Sequence, residues 1–598
     1  MMTPATQPQT IESLDLSLKK IFSDFYVVPS YQREYVWEGK QVEQLLLDIY
    51  DAFPESGQPT SQYFIGSIVV CPGEDTVLEL IDGQQRVTTA YLFLCAIRDY
   101  LAELQDEPLE SLPPLIAAAH MDDIGREVYR PRVSLQYEDS VGVLEAIASG
   151  GEDVASIRLT TRSVTNIVRA YETIRAFLVG QFGQQASEVR RFFSYFINHV
   201  KLVRIRTQDV AHALKVFETI NDRGVGLDSM DLLKNLMFMR ADKPDFDRLK
   251  DRWKGLVDTL HRAGEKPLRF LRYFIFSSYE VDRLREDQIY GWFVENRDLC
   301  GYTSDPVGFV NRLHNAAEAY TKFVSGQNID GSPNRYLANL RHLSGAARQQ
   351  LILLLAGRYL SLQDFTELSR QLENLFFCYI VTREPTKEFE RGFALWAREL
   401  RRVDSTEGLK AFIDTHFRPA KQELSARFEL AFQDLSESRI QKYRMRYILG
   451  KTTQYINELA YGATEINLAQ FVDSRDVEHI LPQTPTPETI ASFDKPEEIE
   501  NYVHRLGNMT MLENAINSSL GNKAFDDKKD GYEKSHFLLT RTIAQRIQLG
   551  DTRIDLAVQG LLTFDDWTSE SIEKRQIMLA KLARSVWDMP LAQEEQLS

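Results

Sequence analysis

The chain is poor in cysteine. It has four in 598 residues, Cys71, Cys95, Cys300 and Cys378, and no Cys-x-x-Cys pair. That excludes a disulfide-built scaffold, disfavours zinc held by thiolates, and fits a reducing cytoplasm. It also lacks any apolar run near the ~18 residues that cross a bilayer. The longest, LILLLAG, covers 351–357. The opening MMTPATQPQT has no charged-then-apolar order, so no signal peptide and no membrane partner are expected. Positive charge is in deficit, with a formal net charge of −16. A passive nucleic-acid coat is excluded, but an enzyme with a local basic groove is not. No internal repeat is evident, and the length suggests roughly three or four domains.

What is present is a set of polar clusters set into apolar surroundings. Residues 76–94 read TVLELIDGQQRVTTAYLFL. Val77 to Ile81 alternates like a strand, and Val87, Ala90, Tyr91, Leu94 and Ile97 repeat like a helix. Asp82-Gly83-Gln84-Gln85-Arg86 therefore sits where a strand hands over to a helix. Free N–H groups and the helix dipole make that a place for phosphate. Gly83 permits the turn, and Arg86 adds a fork of donors. The plain alternative is Asp82 as an N-cap with solvated glutamines. YFIGSIVV (63–70) reads as a strand that pairs with 77–81, and VKLVRIR (200–206) as another strand. KQVEQLLLDIY has helical spacing. Residues 240–460 look almost wholly helical, with a break at SGQNIDGSPN (325–334).

The block from about 470 to 540 changes character. It contains DVEHILPQ (476–483) and, from 501, NYVHRLGNMTMLENAINSSLGNKAF. Hydrolysis of a phosphodiester with one metal ion needs a base, oxygen ligands for the ion, and a group that orients the base. Glu478 and His479 put a carboxylate beside an imidazole. Asn508 and Asn517 flank the apolar MTML, which suits a second strand followed by a helix, a ββα finger around a divalent ion. This pattern resembles the HNH, or His-Me finger, endonucleases. The resemblance implies His479 as general base, Glu478 and Asn517 as metal ligands, and Asn508 as the residue that positions the histidine. Glu478 and Asn517 stand where many such enzymes have Asp and His; both are oxygen donors, suited to Mg²⁺ (or Mn²⁺). His504 and His536 are further candidates for phosphate contact or for structural hydrogen bonds. Lys523 is a candidate phosphate contact, or an exposed lysine.

VPSYQREYVW (28–37), FIGSIVV (64–70), LIDGQQRVTT (80–89) and FETINDRGVGLDSMDLLKN (217–235) resemble successive motifs of the GmrSD-type restriction endonucleases, in particular the fused, BrxU/SspE-like single-chain members. The resemblance runs from about 20 to 545. It implies an α+β multidomain, mostly α chain: an N-terminal ParB/sulfiredoxin-like α/β domain that binds and hydrolyses NTP, a helical middle, and a C-terminal ββα-metal (HNH) domain. The expected division is a polar tail at 1–15, the NTP-binding domain at 16–238, the helical middle at 239–435, the nuclease at 436–565, and a helix and tail at 566–598.

By the same resemblance Asp82, Gln84, Gln85 and Arg86 carry NTP hydrolysis. Asp82 would ligate metal or orient water, the glutamines would position water or oxygen atoms, and Arg86 would neutralise phosphate charge. Gln32, Arg33 and Gly83 would line the pocket. Tyr31, Tyr35 and Trp37 would either stack on the base or staple the next helix to the core. Capping explains Gly224, Asp228 and Asp231, but not Asn221, Arg223 or Lys234, which are read as ligand contacts. RIQKYRMRYILGK (439–451) has five basic residues and no acid. Lys442, Arg444 and Arg446, interleaved with Tyr443 and Tyr447, are read as a DNA-phosphate stripe; the alternative is a solvated helix face with tyrosines in the core. VKLVRIR and RELRRV (398–403) are weaker candidates. The implied function is an NTP-dependent or NTP-regulated DNA endonuclease of anti-phage defence. Its partners would be double-stranded DNA, plain or modified phage DNA, and GTP, ATP or another NTP, with homodimerisation left open. The rivals are a nucleotide-sensing DNA-binding regulator with an inactive nuclease block, and an RNA-directed nuclease.

Overall fold

The computed structural model describes residues 11–590, apart from 31, 33, 56–60, 74–76, 122–124, 137–139, 141, 151–156, 159–160, 211, 215, 217–228, 242–244, 549 and 551. The chain divides into two compact units. One comprises Met1–Lys254 with Tyr290–Val310, the other Gly255–Ile289 with Asn311–Ser598.

The first unit is built on strands β1 (Glu12–Ser17), β2 (Tyr26–Val28), β3 (Tyr63–Pro72), β4 (Leu78–Asp82), β5 (Ala117–Met121), β6 (Glu127–Pro131), β7 (Val133–Leu135) and β8 (Val200–Arg206). Six form one mixed sheet in the order β1-β8-β3-β4-β2-β7, and β5 pairs with β6 alone. The strands read from sequence at 63–70, 77–81 and 200–206 are β3, β4 and β8, and β3 and β4 pair antiparallel as expected. The polar tail expected over 1–15 ends earlier. Residues from Glu12 form β1, which pairs with β8 along its whole length. It is an edge strand whose side chains are exposed up to Asp15, and its alternation is confined to Leu14 and Leu16.

Helix α1 (Gly39–Asp51) buries Val42, Leu46 and Ile49, the stripe seen in the sequence. Helix α2 (Gln84–Glu103) is buried on nearly every side from Val87 to Ile97, as a helix through the middle of a domain must be. Strand β2 runs parallel to both β4 and β7. The carboxyl ends of β2 and β4 therefore lie side by side. The 29–37 loop leaves one and the 82–86 turn leaves the other, at the edge where open α/β sheets bind ligands. Helix α3 (Ser229–Phe238) follows in the same unit.

Among its described residues, the second unit is helical except for one antiparallel hairpin, β9 (Arg475–His479) with β10 (Met509–Glu513). The expected break at 325–334 holds an isolated bridge between Gln327 and Pro333. Helix α4 (Leu362–Val381) brings Glu373, fully buried, against helix α5 (Lys442–Tyr461), where Lys451 Nζ and Tyr447 Oη each donate to its carboxylate at 2.6 Å. Helices α6 (Asn514–Leu520), α7 (Phe525–Glu533) and α8 (Ser569–Val586) surround the hairpin.

Gly83 has φ +86°, and a Cβ there would lie 2.5 Å from Ile68 Cγ2 and 3.1 Å from the Ser67 carbonyl. Both the backbone and the space thus require glycine. Gly83→Ala is expected to destabilise the first unit by more than about 1 kcal/mol. An unchanged melting temperature of the full chain would refute this account of the turn.

Candidate functional site

Two groups of polar side chains stand out, one in each unit. In the first, the 82–86 turn is locked to the 29–37 loop by Gln85. Its Oε1 accepts from the backbone N–H of Val36 at 2.9 Å and of Trp37 at 3.2 Å, and its Nε2 donates to the Glu34 carbonyl at 3.0 Å. Gln85 therefore acts on the loop, and any effect on a ligand passes through that loop. Tyr35 is buried, with its hydroxyl 2.8 Å from that of Thr89; of the two readings of the aromatics it takes the core one, and Trp37 packs against the same core. Gln84, the first residue of α2, is half-buried.

Arg86 donates to the Ser67 carbonyl at 2.8 Å and stands 3.8 Å from Asp82. Burial pushes the Asp82 carboxyl up, against the pull of Arg86 and of the Gly83 N–H. The guanidinium lies directly over Gly66, whose φ is +113°, in the space a Cβ would fill. Gln32 is 5 % exposed, and its Nε2 has no hydrogen-bond partner among the described residues. Its carbonyl accepts from Lys234 Nζ of α3 at 3.3 Å. A buried amide left without an acceptor costs free energy unless something fills the site. Gln32, Lys234 and the 82–86 turn are thus brought to one edge. Arg33, Asn221 and Arg223, like Tyr31, Gly224 and Asp228, lie outside the described residues.

In the second unit β9, β10 and α6 follow the expected strand, strand and helix. Asn508, fully buried, holds the segment after His479. Its Oδ1 accepts from Leu481 N–H at 2.7 Å and from Trp567 Nε1 at 2.9 Å, and its Nδ2 donates to the Leu481 and Val503 carbonyls, each at 2.9 Å. It reaches His479 through the backbone that follows. Alternation along β9 puts Asp476 and Glu478 on one face and His479 on the other. On the first face Asn517 Nδ2 donates to Asp476 Oδ2 at 3.3 Å. Glu478 Oε1 accepts from Lys528 Nζ at 2.7 Å and Tyr532 Oη at 2.9 Å, both on α7. Burial lowers the Lys528 pKa, and Glu478 opposes that.

On the other face His479 Nε2 is 3.5 Å from Glu437 Oε2 and 3.2 Å from Gln483 Nε2. Burial lowers the His479 pKa, more than Glu437 raises it, so the neutral imidazole dominates near pH 7. Glu437 also pairs with His504 Nδ1 at 2.7 Å. Asp476 and Glu437 were missed in the sequence. Asp476 lies inside the quoted motif, two residues from Glu478 on the same strand face, which was a usable signal. Glu437 lies in a separate segment with nothing local to mark it.

For a hard divalent ion, the oxygen donors of Asp476 and Asn517 fit, being adjacent and half-buried. Glu478 already gives one oxygen to a buried cation. The basic stripe is dispersed. Arg444 donates to the Leu343 carbonyl, Arg446 to the carbonyls of Val472 and Arg475, and Tyr447 is core; Lys442 is exposed. Lys523 is exposed and donates to the Ser519 carbonyl at 3.2 Å. His536 is exposed, with its backbone N–H on Glu513. In RELRRV, Arg401 donates to backbone carbonyls and Arg398 and Arg402 pair with Glu280; in β8, Arg204 pairs with Asp24.

Replacing Lys528 with Met would leave Glu478 buried and unpaired. Breaking one side of a buried pair costs about 3–5 kcal/mol. A clear fall in the melting temperature of the full chain is expected, and Lys528→Met with Glu478→Gln together should recover part of it. No loss in the single variant would show that the pair is not buried.

Residues 13–238 match the model of the GmrSD restriction endonuclease N-terminal domain, and residues 423–582 that of the GmrSD restriction endonuclease C-terminal domain. No curated protein matches the chain. The two matches come in the family's order, the first containing the 82–86 turn and the second the β9–β10 hairpin. The chain belongs to the GmrSD restriction endonuclease family.

Proposed function

We propose that the protein is a metal-dependent endonuclease of the HNH type, regulated by NTP binding and hydrolysis at the 82–86 turn, and directed at modified foreign DNA. The nuclease reading rests on one observation. His479 ends β9 of a strand–strand–helix unit whose Asn508 makes two of its four hydrogen bonds to the backbone of Leu481, just beyond that histidine. In the proposed reaction neutral His479 takes a proton from water as the water attacks phosphorus. Asn508 keeps the imidazole in place through residues 480–482. Asp476 and Glu478, on one side of β9, and Asn517, on α6, would hold Mg²⁺ or Mn²⁺. That ion would supply charge stabilisation for the developing phosphorane and leaving oxygen.

The nucleotide reading is supported by the position of the turn at the carboxyl ends of β2 and β4, by Arg86 and Lys234 at that edge, and by the unpartnered Gln32 amide. Arg86 would meet phosphate oxygens, Gln84 would orient water, and Asp82 would ligate a metal ion or orient the same water. Restriction as the biological role follows from the family; the modified target and the nucleotide are part of the proposal.

Arg86→Ala is expected to lower NTP hydrolysis by about 10²-fold or more, the usual loss when one charge-stabilising donor is removed. Gly66→Ala should follow it, because its Cβ displaces the guanidinium, and a ~1 Å misplacement can cost ~10²-fold. Phosphate release by folded protein measures both. Wild-type rates in the two variants would sink the pocket.

His479→Ala should lower nicking of supercoiled modified plasmid by ~10²–10⁴-fold while NTP hydrolysis persists. Asn517→Ala should lose nicking through weaker metal binding, so raised Mn²⁺ should partly restore it, and should not restore His479→Ala. Normal nicking by His479→Ala would remove the HNH assignment and favour the regulatory rival; cleavage of RNA but not DNA would favour the other.

A further inference from the structure

Three side chains from three segments meet on the face of β9 that carries His479. Glu437 precedes α5, and His504 follows the short helix Ile499–Val503. Glu437 Oε2 lies 2.7 Å from His504 Nδ1 and 3.5 Å from His479 Nε2. The donor atoms of all three lie within 4.8 Å of one another. Their backbones are tied in place. Glu437 N–H donates to the His504 carbonyl at 2.9 Å, Ser436 and Arg505 form an isolated bridge, and His479 pairs with Met509 across the hairpin. Exposure falls from His504 at 41 % to Glu437 at 12 % and His479 at 10 %, so the cluster opens to solvent on the His504 side. The Gln483 amide, 3.2 Å from His479 Nε2, would offer its oxygen as a fourth donor when turned over.

We propose that Glu437, His479 and His504 form a second divalent-cation site, selective for Zn²⁺-class ions over Mg²⁺, and that filling it silences the nuclease by occupying His479. The silencing rests on His479 being the general base; the site itself does not. Two imidazoles and one carboxylate are ligands for zinc and its neighbours, whereas Mg²⁺ takes oxygen almost exclusively. Ligands at ~2.1 Å around a tetrahedral ion stand about 3.4 Å apart. The Glu437–His479 separation already has that value, and the remaining pairs adjust by rotation of side chains. An imidazole whose lone pair is bound to a cation cannot accept a proton from water. Strand alternation keeps this site apart from Asp476, Glu478 and Asn517, so the two ions do not compete for ligands.

The test uses the full chain after chelator treatment, titrated with Co²⁺ and followed by visible d–d absorption, then displaced by Zn²⁺. One equivalent is expected. Glu437→Gln, which keeps shape, and His504→Ala should each weaken binding by at least about ten-fold, since removal even of an outer-shell partner costs 10–100-fold. In parallel, Zn²⁺ is titrated into plasmid nicking at fixed Mg²⁺, each variant scaled to its own zinc-free rate. Wild type should be inhibited, and both variants should need at least about ten-fold more Zn²⁺. A Co²⁺ spectrum unchanged in both variants would overturn the site. Spectra lost in the variants, with wild-type nicking indifferent to Zn²⁺, would overturn the silencing and the assignment of His479 as base together, and leave the ion site standing.

Discussion

The second unit of this protein is organised around one buried carboxamide. Asn508 has no exposure, and its oxygen and nitrogen make four hydrogen bonds, to Leu481 twice, to Val503 and to Trp567. A group of that kind is expensive to bury and more expensive to leave half-satisfied. Every partner must therefore be in place at once. Leu481 fixes the chain after His479, Val503 fixes the segment that presents His504, and Trp567 brings in the C-terminal region. The position of the imidazole is a by-product of satisfying this amide.

In the other unit the organising element is again a glutamine or asparagine amide bound to backbone. Gln85 fastens the 34–37 loop to the start of α2, and Arg86, one residue on, lies over Gly66 and reaches the Ser67 carbonyl. Adjacent residues of one turn thus reach different segments, Gln85 the loop and Arg86 strand β3. Parallel pairing of β2 with β4 is what gives the turn and the loop a common edge.

Much of this was legible. The β3–β4 pair, the strand at 200–206 and the helix after the 82–86 turn follow from apolar spacing, and the strand–strand–helix order around His479 and Asn517 is what the resemblance to the HNH endonucleases implies. Strands β1, β5, β6 and β7 were not. Strands β5, β6 and β7 are short or lie at sheet edges, where one face or both meet water and alternation fades; β1 alternates, at Leu14 and Leu16, but over only six residues. The resemblance implies that Gln85 positions water or oxygen atoms; its partners in the fold are backbone atoms some fifty positions away, which leave no trace in side-chain pattern. Arg444 and Arg446 looked like a DNA stripe because a basic helix face reads the same whether its guanidinium groups meet phosphate or the carbonyls of a neighbouring segment. Glu437 had no local signature at all; only the fold brings it to His479.

The last long helix has a consequence for how the enzyme is made. Arg575, fully buried, donates to the carbonyls of Gly507 and Met509, and Gln576 accepts from the Gly507 N–H. The hairpin that carries His479 is therefore braced by residues translated about a hundred positions after it. A ribosome emitting this chain releases the histidine long before it releases the brace. A nascent or prematurely terminated product has the motif without the architecture, and the segment around His479 gains its brace only after α8 has emerged and folded back.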